Sequence, residues 1–84
     1  MVKFIEKSGE SIEEAIIILD ASDSWEGIYA EYEYISKKFG RQNSDWVLES
    51  QSLLRVDEKT YDKMEVKLAD GTKKILYFDI TQFY

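Results

Sequence analysis

The chain has no cysteine and no histidine among its 84 residues. Without cysteine it has no disulfide bond, and no thiolate to act as a metal ligand or nucleophile. Without histidine it lacks the commonest metal ligand and the commonest general acid or base near neutral pH. It also lacks a glycine-rich phosphate loop and the spacing of zinc ligands. We therefore expect no enzymatic activity.

Long apolar runs are also missing. The longest is Ala15–Leu19, far shorter than the roughly 20 residues that a membrane-spanning helix needs. The N-terminal residues show no secretory signal pattern, so we expect a cytoplasmic protein without membrane contact. Leu, Ile, Val and Phe together make up 23 of the 84 residues, which is enough for one small folded domain.

Acidic residues outnumber basic ones, and the excess is confined to one half of the chain. Residues 1–35 hold nine acids and two bases, a net charge of −7, whereas residues 36–84 hold eight acids and nine bases, a net charge of +1. An acidic chain is repelled by phosphate backbones, so we expect no nucleic-acid binding. The acidic half instead suits a basic protein surface.

The N-terminal third has the weakest pattern. We interpret residues 1–11 as a weakly ordered arm, in which Phe4 and Ile5 are able to form a short edge strand, and residues 12–84 as the domain. Residues 12–19 have helical spacing after Ser11, but Ile16–Leu19 is a continuous branched run, which favours a buried strand. We predict a strand here.

Residues 24–39 are the clearest helix. Asp23 is placed to cap it, Glu26 has the capping-box spacing, and Gly40 is placed to end it. Apolar residues recur at steps of three and four, which predicts that one stripe packs on the core. That stripe consists of Trp25, Ile28, Tyr32, Ile35 and Phe39.

The second half predicts three strands. In residues 45–56, alternation places Trp46, Leu48, Leu54 and Val56 on one face. Residues 60–80 form a hairpin, and a three-residue loop with Gly71 as a bulge pairs Met64 with Leu76. This register gathers the apolar side chains on one face: Met64, Val66, Leu68, Leu76, Phe78 and Ile80.

The predicted fold class is therefore α+β, with element order β-α-β-β-β. One long helix packs on a mainly antiparallel four-stranded sheet, giving two layers. The last strand is apolar on both faces, which indicates a central position.

One short motif suggests a metal site. Asp20, Ser22 and Ser24 form an Asp-x-Ser-x-Ser sequence between a predicted strand and the helix. This motif resembles the metal-ion-dependent adhesion site of von Willebrand factor A-type domains, a resemblance that covers about five residues and their flanks. It implies that these three side chains hold a divalent cation, and oxygen ligands suit Mg²⁺. The alternative is that the same residues only end the strand and cap the helix.

Two surfaces are candidates for binding a protein partner or a second copy. Gly27, Ala30 and Tyr34 form a helix stripe opposite the predicted core stripe, with Tyr29 at its edge. Ile75 and Tyr77 lie among lysines on the second face of the hairpin, where the alternative is a solvated face. Paired acids such as Glu31 and Glu33 do not face each other on a helix, so we interpret them as solvated charge.

The sequence does not establish the function, and three hypotheses remain. The leading one is a small acidic protein-interaction module, which includes a homodimer as one form. The second is a divalent-cation-dependent binding site at Asp20, Ser22 and Ser24, with Mg²⁺ as the cofactor. The third is an acidic inhibitor or decoy that occupies a basic protein surface.

Overall fold

The computed structural model of the chain describes residues 2–83. Its elements, in chain order, are β1 (Lys3–Ile5), β2 (Ile16–Leu19), α1 (Ser24–Phe39), β3 (Trp46–Val56), β4 (Lys59–Leu68) and β5 (Lys73–Asp79). The strands form one mixed sheet in the order β1-β2-β5-β4-β3, in which only β2 and β5 are parallel within the described chain. The helix lies on one face, which confirms the α+β class with one strand more than predicted.

The additional strand is β1, where Phe4 lies opposite Ile18 of β2. The sheet thus includes part of the segment that we expected to be weakly held. Gly9 in the following loop is buried, and its carbonyl accepts a 2.8 Å hydrogen bond from the N–H of Tyr77. Met1 of the predicted arm (residues 1–11) and Tyr84 of the predicted domain (residues 12–84) lie outside the described residues.

The 60–80 hairpin has the predicted register. Met64 lies opposite Leu76, and the loop closes with a 2.7 Å hydrogen bond from the Leu68 N–H to the Thr72 carbonyl. Gly71 has a φ of +90°, a conformation that glycine adopts without strain. With this loop length, the two-residue alternation of the strands places the apolar side chains of the hairpin on one face. That face is buried under the helix.

The prediction for the faces of β3 is wrong in its second half. A β-bulge between Leu48 and Ser50 shifts the register by one residue, so side chains beyond it exchange faces. Trp46 and Leu48 face the helix, whereas Leu54 and Val56 lie on the opposite face. Gln51 and Leu53 take their place on the helix side.

Helix α1 has the predicted bounds and ends. The Asp23 carboxylate accepts a 2.8 Å hydrogen bond from the Glu26 N–H, and the Glu26 carboxylate accepts one from the Ser22 N–H. Gly40 follows the last turn with a φ of +113°. These contacts satisfy backbone donors that a helix start otherwise leaves unpaired.

The prediction of which helix face meets the sheet is wrong by about one residue, or about 100° of rotation. Trp25 and Ile28 of the predicted core stripe are exposed, Tyr32 and Phe39 are half-buried, and Ile35 is buried. The inner face instead consists of Gly27, Ala30, Glu31, Tyr34 and Ile35.

Gly27, Ala30 and Tyr34 are therefore not a free face for a partner. Gly27 lies against the Phe83 ring, where a Cβ atom would overlap that ring. The Tyr34 ring packs between Phe4 and Phe78, with centroid distances of 5.2 and 5.9 Å. Small residues on this face allow the helix to approach the sheet and the C-terminal segment closely.

Candidate functional site

A groove of about 370 Å³ opens between α1, β3 and the C-terminal segment, with β4 as its floor. Its walls are apolar and come from Ile28, Leu53, Ile80 and Phe83. The β3 bulge brings Leu53 to this side of the sheet, and Gly27 leaves the space that the Phe83 ring occupies. The groove therefore depends on the two features of the fold that sequence periodicity does not show.

Two acidic side chains lie in the depth of the groove. Glu31 comes from the inner face of α1 and is 0% exposed, and Asp62 comes from the helix side of β4 and is 2% exposed. Gln51 on β3 donates a 2.6 Å hydrogen bond from Nε2 to Asp62 Oδ2. Within residues 2–83, no residue outside this pair donates a hydrogen bond to either carboxyl oxygen of Glu31 or to Oδ1 of Asp62.

The electrostatics of this acidic pair are set by burial. Desolvation, followed by the hydrogen bond and the negative charge of Asp62, raises the pKa of Glu31 to about 10. Glu31 is thus protonated at neutral pH, and its O–H is able to donate to the Asp62 carboxylate. The same two groups, after desolvation, also raise the pKa of the neighbouring Tyr32 hydroxyl.

Exposed apolar side chains lie at the groove and next to it. Trp25 is 79% exposed, Leu53 is 51% exposed and Ile28 is 39% exposed. Ile28 and Leu53 line the groove, and Trp25 lies outside it, about one helical turn before Ile28. We call Trp25, Ile28 and Leu53 the groove rim.

The proximity of Glu31 and Asp62 does not follow from the spacing of acids along the chain. Glu31 and Glu33 point apart on α1, and Asp62 lies on a different element. One signal was available, because the confirmed hairpin register places Asp62 on the same face as Met64 and Val66. An acid on the buried apolar face of a strand requires a hydrogen-bond or ionic partner, or has to be protonated, because an isolated buried charge is costly.

Of the three predicted metal ligands, Ser24 lines the groove, whereas Asp20 and Ser22 do not. Asp20 follows β2 with a φ of +60°, and its carboxylate lies 3.7 Å from Lys3 Nζ. Ser22 and Ser24 are exposed in the turn and first helical residue. Across residues 2–83, no cluster of three or more acidic side chains is arranged to hold a metal ion. The cation site at these residues stays a prediction.

Of the remaining predicted surface residues, Tyr29 lies apart from Ile75 and Tyr77. Tyr29 is exposed on the outer side of α1. Ile75 and Tyr77 lie on the sheet face that points away from the helix, exposed and half-buried respectively. That face also carries Lys67 directly opposite Lys73, as the predicted register requires.

The chain matches no protein-family model, and comparison with curated proteins and with solved structures gives no significant match. No helix within residues 2–83 combines the length and apolar character needed to cross a bilayer. The groove, its rim and its acidic floor are thus the features from which a function is inferred.

Proposed function

We propose that the protein is a small acidic protein-interaction module whose groove rim binds a partner segment with large apolar and basic side chains. The observation that carries this proposal is the outward position of Trp25 and Ile28. A helix that turns these residues to solvent, beside an apolar groove, leaves their burial to another molecule.

The rim supports the proposal because its apolar residues are neighbours: Ile28 and Leu53 line one groove, and Trp25 precedes Ile28 by about one turn of α1. Exposed apolar residues that are scattered singly are normal, but a continuous patch typically marks a contact surface. Burying one such side chain contributes roughly 1.5–3 kcal/mol. Tryptophan is also among the residues that most often dominate binding energy at protein interfaces.

Charge supports the basic character of the partner. Asp23 caps the helix that carries two of the rim residues, Glu26 lies in its first turn, and the first 35 residues have a net charge of −7. Complementary charge speeds encounter and excludes acidic partners. The inhibitor hypothesis needs only this charge, whereas the proposed module needs the apolar rim as well.

The position of β3 supports an extended partner. This strand is 11 residues long and lies at the edge of the sheet, so one side of its backbone has no partner strand within residues 2–83. An added strand pairs with such an edge through main-chain hydrogen bonds and directs alternate side chains to one face. Side chains of the added strand that point to the helix side would contact Leu53 and the groove.

Selection from a displayed random-peptide library tests the proposal. We expect recovered peptides to combine large apolar residues with Arg or Lys, and to lose binding at least tenfold on Ile28→Glu. The matched control is Ile75→Glu, which adds the same charge on the opposite sheet face and should leave binding unchanged. Peptides that tolerate Ile28→Glu but not Ile75→Glu would transfer the site to the sheet face.

Salt dependence and self-association separate the alternatives. Binding driven by charge alone falls steeply between low and high salt, whereas binding through the rim retains an apolar, salt-insensitive part. Light scattering at high protein concentration tests the homodimer. A dimer that is lost on Ile28→Glu and kept on Ile75→Glu would identify a second copy as the occupant.

The other expectations belong to the same proposal. A cytoplasmic location suits an acidic module without disulfides, and cell fractionation tests it. Mg²⁺ binding at Asp20 is the second candidate from sequence, but no contact favours it, since that carboxylate already lies beside Lys3. Calorimetric titration with Mg²⁺ tests this site. Heat of binding that disappears in the Asp20→Asn variant would support the cation site.

A further inference from the structure

We propose that the groove binds a guanidinium group on an aliphatic stem, with the cation held between Glu31 and Asp62. Its source in the bound segment, an arginine side chain, rests on the proposed function, whereas binding of the group itself does not.

The buried acidic pair has few hydrogen-bond donors. No residue outside the pair donates to three of its carboxyl oxygens, two on Glu31 and one on Asp62, within the described chain. Buried polar atoms are nearly always paired, so once Glu31 loses its proton these three acceptors require a donor from a ligand. Among the groove-lining residues of the described chain, none is positively charged.

The apolar wall of the groove favours an organic cation over a metal ion. Ca²⁺ and Mg²⁺ take six or more oxygen ligands, and Mg²⁺ usually retains several waters. Two carboxyl groups and one amide side chain fall short of such a set. Ile28 and Leu53 instead offer contact to the methylene stem of a long side chain.

Guanidinium fits better than ammonium for two reasons. Its planar fork presents five N–H donors and matches carboxylates in a bidentate manner, whereas ammonium presents three donors around a point charge. It is also more weakly hydrated, so moving it from water into an apolar groove is less costly. Three open acceptors on two side chains suit the fork.

Binding exchanges a proton for the cation. Glu31 holds a proton in the free protein, because its carboxyl group is buried beside Asp62. When guanidinium enters, the Glu31 O–H bond breaks, the proton passes to solvent, and the resulting carboxylate accepts N–H donors. From β4 only Asp62 contributes charge, and β3 contributes the neutral Gln51. Affinity should therefore rise with pH, by up to tenfold per unit for one proton released.

The test is a titration with n-butylguanidinium at pH 6, 7 and 8, followed by NMR of the Ile and Leu methyl groups. We expect millimolar binding, on the order of what a ligand of eight heavy atoms allows. Signals of Ile28 and Leu53 should shift, and the dissociation constant should decrease as pH rises. n-Butylurea, the neutral analogue, should not bind, and n-butylammonium should bind more weakly.

Variants locate the site. Glu31→Gln resembles the protonated side chain, so the fold should persist while binding weakens at least tenfold and loses its pH dependence. Glu33→Gln removes an exposed acid from the same helix and is the matched control, with unchanged binding expected. Asp62→Asn should also weaken binding; if that variant unfolds, Glu31→Gln alone decides.

Three results would overturn the inference: no methyl shifts at the rim, equal shifts with n-butylurea, or unchanged binding on Glu31→Gln. Failure of the proposed function looks different. If n-butylguanidinium binds in the Glu31-dependent way but the library yields no rim-dependent peptide, the groove binds the cation and the interaction module is wrong. Rim-dependent peptides without guanidinium binding would retain the module and reject the cation site.

Discussion

The two faces of helix α1 do not differ as hydrophobicity alone predicts. Beside Ile35, the inner face places Gly27, Ala30 and a buried acid, Glu31, against the sheet, whereas the outer face presents Trp25 and Ile28 to solvent. The size of side chains, and not only their polarity, therefore decides which face packs. Small inner residues admit the Phe83 ring and the aromatic side chains of the sheet.

This arrangement has a cost on both faces. The outer face forgoes the roughly 1.5–3 kcal/mol that burial of each large apolar side chain contributes. The inner face buries an acid that has to remain protonated to avoid an isolated charge. Both costs fall at the same groove, because Ile28 and Glu31 line it together. A binding site explains why the exposed apolar residue and the buried acid occur at the same place, whereas poor packing does not.

The largest expected effect separates the two faces by stability. Ile35→Ala removes a fully buried side chain of the inner face and should lower the free energy of unfolding by about 2–5 kcal/mol. The matched change Ile28→Ala, on the rim, should cost less than about 1 kcal/mol. Urea unfolding monitored by circular dichroism measures both. Equal losses would show that the rim is packed and would remove the basis of the comparison.

The second effect concerns the acid on the inner face. The pKa of Glu31 is raised to about 10 in the folded protein, from 4.5 ordinarily, so between these values the folded state binds more protons than the unfolded state. Stability contributed by this proton is present below about pH 4.5 and is lost as pH rises toward 10. The slope is at most roughly 1.4 kcal/mol per pH unit.

Glu31→Gln should remove this slope and leave a variant more stable than the parent at pH 8. The measurement is urea unfolding at pH 5, 6.5 and 8, with Glu33→Gln as the control that should keep the parental slope. Parallel pH profiles for the parent and Glu31→Gln would mean that Glu31 is ionised and solvated in the folded state.

Much of the fold follows from local patterns. The helix ends follow from Asp23 and Gly40, and the hairpin register follows from parity around Gly71. The rotation of α1 and the faces of β3 do not follow in this way. A β-bulge is one inserted residue without a distinctive composition at Glu49, and the position of Phe83 against Gly27 joins residues 56 positions apart.

The candidate site could not be predicted from local patterns for the same reasons. Glu31 and Asp62 are ordinary charged residues in sequence, and only the packing of α1 on β4 makes them neighbours. Conversely, Gly27 and Ala30 of the predicted partner surface are small residues, which permit close approach, and both are buried. At Gly27 the group that approaches is the Phe83 ring of the same chain. Small residues on a helix thus indicate close packing but not which element provides it.

The smallest expected effect on stability completes the comparison. Trp25→Ala should change the free energy of unfolding by no more than about 0.5 kcal/mol, because Trp25 is 79% exposed and alanine favours the helix. The same change should weaken binding of rim-dependent peptides at least tenfold, as expected for an interface tryptophan. Fluorescence provides an internal check, since the variant should lose the red-shifted emission and retain that of the buried Trp46. A stability loss above about 1.5 kcal/mol, or undiminished peptide binding, would mean that Trp25 serves the fold rather than a partner, and the two faces of α1 would no longer differ in role.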